Sequence, residues 1–374
     1  MQKIVQQIKK VGIITMIGEN YGNRLQNYAV QAVLEKFGFS VVTFKNGYSH
    51  LPLVKMLKLK VIEIIKIILK LGNYLKTFRK KSFKKFNKKY INFSQDIPGI
   101  TNIDPDKYDY IVCGSDQIWN LNYSEISDYM NPFFAGFVPQ NKRIAYSASI
   151  GIDYIPEKSK DEFVKYITEM KAISVREENA QKIIKSMTGR DVPVTLDPTL
   201  MLSKSDWLKI SEKPKWIKSD KFILTYFLGD LTEERRNYIN KIAKICNIDV
   251  IDLYDIFTDP NRIVNKFAFS ASPSEFIWLI SNCELMMTDS FHGCIFSMIM
   301  DKPFRCFKRQ DSAEDMSSRM DTLFKKFNVS DWCIGDINED IEHVFYKDYS
   351  DFESTLKKEQ DFAYDYLKGA LDIK

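Results

Sequence analysis

The stretch Met286–Lys308 reads MMTDSFHGCIFSMIMDKPFRCFK. An apolar strand, ELMM from Glu284, ends at Thr288, Asp289 and Ser290, which are good N-cap residues, and FHGCIFSMIM is apolar enough for a buried helix. KPFRCFK then reads as a second apolar strand. A strand, a covering helix and a further strand imply parallel pairing, so an α/β fold is expected around this stretch.

The same alternation runs outward along the chain. Upstream lie VGIITMIG before NRLQNYAVQAVLEKFG, SVVTF, YDYIVCG before SDQIWN, RIAYSAS, AISVR before EENAQKIIKSM, and VPVTLDP. The polar stretch from Met201 to Ser219 interrupts this pattern. It restarts with FILTYFLGD, TEERRNYINKIAKICN, DVIDLY and SPSEFIWLISNC. Two Rossmann-like domains facing across a cleft are therefore expected, residues 1–200 and 201–374, with a helix in the tail FESTLKKEQDFAYDYLKGALDI that packs back across one of them. A chain of 374 residues, 45% hydrophobic, has ample apolar surface for two such cores.

Open α/β sheets bind ligands at the carboxyl ends of their strands, so residues just after strands are the candidates. His292 falls in the first turn of its helix, where free N–H groups and the helix dipole attract an anion, and Gly293 beside it leaves room for one. The alternative for His292 is a core imidazole bonded to a neighbouring carbonyl. Arg176 ends the strand AISVR, and its guanidinium can hold a carboxylate or phosphate; Glu177 and Glu178 can instead pair with it and cap the next helix. Lys308 closes the strand after the His292 helix and adjoins the same crevice.

Three turns supply polar groups for sugar hydroxyls: GENYGNR with Gly22 and Asn23, CGSDQIWN with Gly114, Ser115 and Asp116, and YSASIG with Ser149. The first is not GxGxxG, which argues against a dinucleotide. No metal-binding or P-loop motif is present, and six dispersed cysteines without a CxxC pair indicate neither a disulfide framework nor a zinc site. No metal and no cofactor are expected. The short apolar run near the N-terminus reads as a first core strand rather than a signal peptide, and the cytoplasm is the expected compartment.

Taken together, the GNYGNR turn, YDYIVCGSDQIWN, SASIG, ISVREENA, VTLDPTLM, and DSFHG followed by KPF and a basic strand end resemble the polysaccharide pyruvyl transferase family. The resemblance runs from about Val11 to Lys308. It implies a two-Rossmann architecture similar to that of GT-B glycosyltransferases, with phosphoenolpyruvate as donor substrate and a pyruvate ketal formed across two hydroxyls of a glycan sugar. It also implies that Arg176 and Lys308, with Ser290, His292 and Gly293 beside them, bind the donor, and that His292 is catalytic. His292 can protonate the enol carbon or stabilise the departing phosphate.

One segment stands apart by charge. Leu51–Tyr90 holds 13 Lys or Arg against one acid, while the whole chain has a net charge of only +5. Its amphipathic pattern fits either a helix packed on the N-terminal domain or an interfacial helix on anionic lipid, and nucleic acid ranks below both. A lipid-linked glycan acceptor would give membrane contact a purpose. The alternative functions are a glycosyltransferase using a sugar nucleotide and a non-catalytic, membrane-attached glycan-binding protein.

Overall fold

A computed structural model describes residues 8–45, 72–98, 102–256, 258, 263–309 and 317–373. Five strands form the first sheet: β1 (Lys10–Ile14), β2 (Ser40–Thr43), β3 (Tyr110–Cys113), β4 (Arg143–Ala148) and β5 (Ala172–Val175). Their order is β2-β1-β3-β4-β5, all parallel. The second sheet has β6 (Phe222–Phe227), β7 (Asp249–Tyr254), β8 (Leu285–Thr288) and β9 (Phe304–Cys306), in the order β7-β6-β8-β9, again all parallel. Each sheet reverses its winding beside its first strand, and each thus has a switch-point crevice, between β1 and β3 and between β6 and β8.

Central strands are apolar throughout because helices cover both faces; every residue of β3, β4, β6 and β8 is buried. Helix α1 (Tyr21–Lys36) follows β1, and its N-cap is Asn20, whose side chain accepts from the Asn23 amide. Such a cap contributes about 1 kcal/mol. The architecture is the expected pair of Rossmann-like units, GT-B-like, with the carboxyl ends of the two sheets turned toward each other.

The two units share buried apolar contacts. Tyr21 of α1 stacks on Phe276 at 4.4 Å, and Trp207 in the connecting segment packs on Phe296 at 4.8 Å, so one core runs from the first sheet into the second. Helix α2 (Gly72–Tyr90) reinforces this junction. Its Arg79 is fully buried and donates to the carbonyls of Glu19 at 2.9 Å, and of Tyr254 and Phe269 at 2.8 Å each. Phe83 and Phe86 bury on the same face, while Lys80, Lys81, Lys84, Lys85 and Lys88 are exposed. The described part of the basic segment is therefore a packed helix with a lysine-rich outer face. The amphipathic run upstream, within 46–71, lies outside the described residues.

Four further helices position the site: α3 (Glu178–Thr188), α4 (Phe291–Ile299), α5 (Ser317–Phe327) and α6 (Phe352–Ala370). The tail helix α6 returns to the first sheet, where Tyr366 donates to the Ala145 carbonyl at 2.6 Å and Gln360 to that of Leu200 at 2.7 Å. It also pairs with α5 through Glu359 and Lys326.

Candidate active site

Arg176 leaves β5 directly into the space between the sheets. Its Nη1 donates to Asp197 Oδ2 at 2.8 Å, its Nη2 to Asp116 Oδ1 at 3.3 Å, and its Nε lies 3.8 Å from Glu177 Oε2. The guanidinium covers the Phe291 ring at 4.5 Å. Burial would lower the Arg176 pKa, but the coulombic attraction of Asp197, Asp116 and Glu177 outweighs it and the pKa is raised.

Asp197 begins the 3-10 turn Pro198–Met201 and caps it, with Oδ1 accepting from the Thr199 amide at 2.9 Å and the Thr199 hydroxyl at 2.6 Å. Its Oδ2 faces Arg176, the Ser115 hydroxyl at 3.4 Å and His292 Nε2 at 3.5 Å. Burial pushes this carboxyl up; His292, Arg176 and Thr199 outweigh burial and hold it well below the usual carboxylate range. Asp116 behaves alike, with burial overcome by Arg176, His292 and Arg319 and by the Asn23 amide, which donates to Oδ2 at 2.7 Å.

His292 occupies the first turn of α4, whose N-cap Ser290 accepts from the Gly293 amide at 3.3 Å. Only 5% of the imidazole residue is exposed. Its Nε2 is buried, lies 3.5 Å from Asp197 in ion-pair rather than hydrogen-bond geometry, and has no hydrogen-bond partner among the described residues. The other edge of the ring rests on the first turn of α1. A Cβ built on Gly22 would sit 2.0 Å from His292 Nδ1, so glycine there is what lets an imidazole of the second unit reach the first.

The structure thus joins residues expected on two separate sides. Gly22, Ser115 and Asp116 touch His292, Asp197 or Arg176 directly, and Asn23 joins them through Asp116. Ser149 stands one contact away, its hydroxyl donating to Glu177 Oε1 at 3.1 Å. That same oxygen accepts from the amides of Ile150 at 2.8 Å and Gly151 at 3.1 Å, so Glu177 holds the β4 exit loop and makes no side-chain cap on α3. Gly114 has φ +143°, and an added Cβ would meet the Tyr146 carbonyl at 2.1 Å, so its role is a close backbone approach. Gly293 likewise serves packing: a Cβ there would meet Thr288 Oγ1 at 2.8 Å, which fills the room expected for a ligand.

Lys308 is not brought into the cluster. Cys306 and Phe307 bury against the second sheet, and the chain then leaves β9 with the Lys308 side chain exposed and its carbonyl accepting from Arg235 Nη2 at 2.6 Å. Two residues that local pattern does not disclose are present instead. Asp197 is one. The other is Arg319 of α5, 8% exposed, with Nη1 3.7 Å from Asp116 Oδ1 and its guanidinium 5.8 Å from the Phe291 ring centre. Beside them opens a small cleft lined by Arg176, Asp197, Phe291, Arg319, Thr322 and Lys326. Guanidinium groups, a buried imidazole nitrogen and fixed carboxylates can together hold an anion and move a proton. Among the described residues no group of three or more His, Cys, Asp or Glu side chains is arranged to hold a metal ion.

A sequence model of the polysaccharide pyruvyl transferase family matches residues 20–311, a span that includes the cluster except Arg319. No curated protein matches the sequence significantly. Among solved structures, UDP-GlcNAc 2-epimerase from Neisseria meningitidis bound to UDP-GlcNAc is similar at 11% identity over 98% of both chains, with a TM-score of 0.46. A putative UDP-N-acetylglucosamine 2-epimerase from Listeria monocytogenes is similar at 13% identity over 96% of this chain and 91% of that one, with a TM-score of 0.49. UGT89C1 of Arabidopsis thaliana complexed with UDP-L-rhamnose is similar at 11% identity over 98% and 99% of the two chains, also with a TM-score of 0.49.

Proposed function

Because the chain belongs to the polysaccharide pyruvyl transferase family, we propose that it takes phosphoenolpyruvate as donor and builds a pyruvate ketal across two hydroxyls of a glycan sugar. The glycan is a cell-surface polysaccharide or its lipid-linked precursor. The observation that carries this reading is the joining of Arg176, Asp197 and His292 in one buried cluster beside the cleft, with His292 Nε2 making no hydrogen bond among the described residues. Phosphoenolpyruvate presents a carboxylate and a phosphate, both matched by guanidinium geometry.

The chemistry needs a proton on C3 of the donor, which turns the methylene into a methyl and leaves positive charge on C2. One sugar hydroxyl adds to C2 and loses its proton. The C2–O bond to phosphorus then breaks, phosphate departs with the electron pair, and the second hydroxyl adds in its place and loses its proton. One proton enters at C3 and two leave the hydroxyls, so a group that first gives and later accepts a proton serves both ends of the sequence. His292 is that group in this proposal. Asp197 and Asp116 hold Arg176 and the imidazole in register, as positioning residues.

Six free cysteines suit a reducing compartment, and we place the protein in the cytoplasm. Among the described residues no helix is long and apolar enough to cross a membrane. The exposed lysine face of α2 supports peripheral contact with an anionic inner leaflet, where a lipid-linked acceptor would be found. The reaction itself is tested by incubating the protein with phosphoenolpyruvate and a glycan mixture. Phosphate release that depends on glycan, with a glycan gaining the mass of pyruvate less water, is the expected result. Consumption of a sugar nucleotide with phosphoenolpyruvate untouched would overturn the reading.

A further inference from the structure

We propose that Tyr74 and Phe78, on the outer face of α2, form an aromatic anchor that seats this protein on an anionic lipid surface, with Lys81, Lys85 and Lys88 as its electrostatic half. The inference rests on the reading of the α2 lysine face as a peripheral membrane contact, and deepens it by naming the side chains that enter the lipid interface. One side of α2 buries Arg79, Phe83 and Phe86. Positions 74, 78, 81, 85 and 88 recur at steps of four and three, so they line a single stripe along the helix, on the side away from that core. All five residues are exposed, Tyr74 by 56% and Phe78 by 42%. The two rings meet edge to face at 4.6 Å and make one apolar knob at the start of the helix. The helix sequence contains no acid. Lys89, off the stripe, pairs with Glu212 at 2.7 Å.

An exposed apolar group rimmed by charge marks a contact surface, and the charge beside it decides the kind of partner. Three lysines on the same stripe, with no carboxylate on the helix, match a surface of fixed negative charge. Aromatic rings among lysines are also what an interfacial helix carries, the rings at the acyl boundary and the ammonium groups at the phosphates. The fold sets which end of the molecule would meet the lipid. Arg79, next to Phe78, donates to the carbonyls of Glu19, beyond β1, and of Tyr254, the last residue of β7. The start of α2 is thereby fixed at the carboxyl ends of both sheets, the end where Arg176 and His292 stand. Arg79 also donates to the carbonyl of Phe269, the last residue of the short helix Lys266–Phe269, on which Phe267 is 56% exposed beside the exposed Lys266. A second aromatic and lysine are thus carried by an element tied to the same arginine. A lipid-linked glycan offers its sugar from a headgroup layer, and seating by this end brings the strand exits to that layer.

The test is sedimentation with mixed phosphatidylcholine and phosphatidylglycerol vesicles, and with phosphatidylcholine vesicles alone. It compares wild type with the pair Tyr74→Ser and Phe78→Ser, the pair Tyr74→Trp and Phe78→Trp, and the triple Lys81→Gln, Lys85→Gln and Lys88→Gln. Wild type is expected to bind the anionic vesicles at low salt. The serine pair should keep the wild-type melting temperature but weaken that binding at least about tenfold, the scale of two rings partly withdrawn from water, without changing how steeply binding falls with salt. The tryptophan pair should bind at least as tightly as wild type. The glutamine triple should lose on the order of 100-fold and flatten the salt dependence. If the serine pair binds as wild type does, the anchor fails while the electrostatic contact stands. If wild type binds neither kind of vesicle, both fall. A serine pair that no longer folds would show the rings to be packed within the protein, and would equally overturn the assignment.

Discussion

Replacing Gly22 by alanine tests the junction on which the site depends. The added Cβ would lie 2.0 Å from His292 Nδ1, 2.5 Å from Cγ and 2.6 Å from Cε1. Ordinary non-bonded contact is about 3.5 Å, so the imidazole or the start of α1 must move by roughly 1.5 Å. Misplacing a reacting group by about 1 Å can cost on the order of 100-fold in rate, so turnover is expected to fall by at least that factor. Overpacking costs about 1–3 kcal/mol, while alanine inside a helix recovers about 0.5–1 kcal/mol relative to glycine. Stability should thus fall modestly and activity heavily. Thermal melting and donor-dependent phosphate release on the same preparation separate the two effects. A Gly22→Ala protein with wild-type melting and near-normal turnover would show that His292 does not work against α1, and the reasoning from that contact to catalysis would be wrong.

Other outcomes follow from the same site. His292→Asn should fold and still be stabilised by phosphoenolpyruvate but lose at least about 100-fold in turnover, and near-normal turnover would make the imidazole structural. Asp197 and Asp116 have folded pKa values below their unfolded ones, so their contribution is full above the unfolded carboxylate range near pH 4 and is lost as pH falls through the lowered values. Denaturant midpoints measured against pH should therefore drop on the acid side, and Asp197→Asn should flatten that drop while costing about 3 kcal/mol at neutral pH; an unchanged acid limb would contradict the pairing. The lysine face of α2 should carry the protein onto anionic vesicles at low salt and release it as salt rises, whereas equal binding to neutral vesicles would sink the electrostatic contact.

Much of the fold is legible because its strands are buried on both faces. YIVC, RIAYSA and FILTYF are largely apolar runs followed by turn residues, a pattern that neither an amphipathic helix nor a half-exposed strand produces. Arg176 and His292 are legible for a related reason: each is a polar side chain just after such a run, where a parallel sheet places its crevice. Asp197 is less so, since VPVTLDP reads as a strand ending in a turn and only the tertiary fold brings that turn under Arg176. Arg319 is hidden further. In SSRMDTLFKKF it occupies a polar position of an amphipathic helix, and an arginine there normally faces water. It is buried because α5 docks on α3 and Phe291, a contact between segments far apart in the chain. Lys308 misleads in the opposite sense, since the end of an edge strand can turn its side chain to either side and here turns it outward. Arg79 shows how a charge-dense segment can hide a core residue: one arginine among many lysines is the group that ties β1's exit to β7's.

The central claim is that this cleft binds phosphoenolpyruvate, and the most direct measurement is thermal stabilisation of the purified protein by phosphoenolpyruvate compared with UDP-GlcNAc. A concentration-dependent rise in melting temperature is expected with phosphoenolpyruvate and none with UDP-GlcNAc. Stabilisation by UDP-GlcNAc with no response to phosphoenolpyruvate would contradict it.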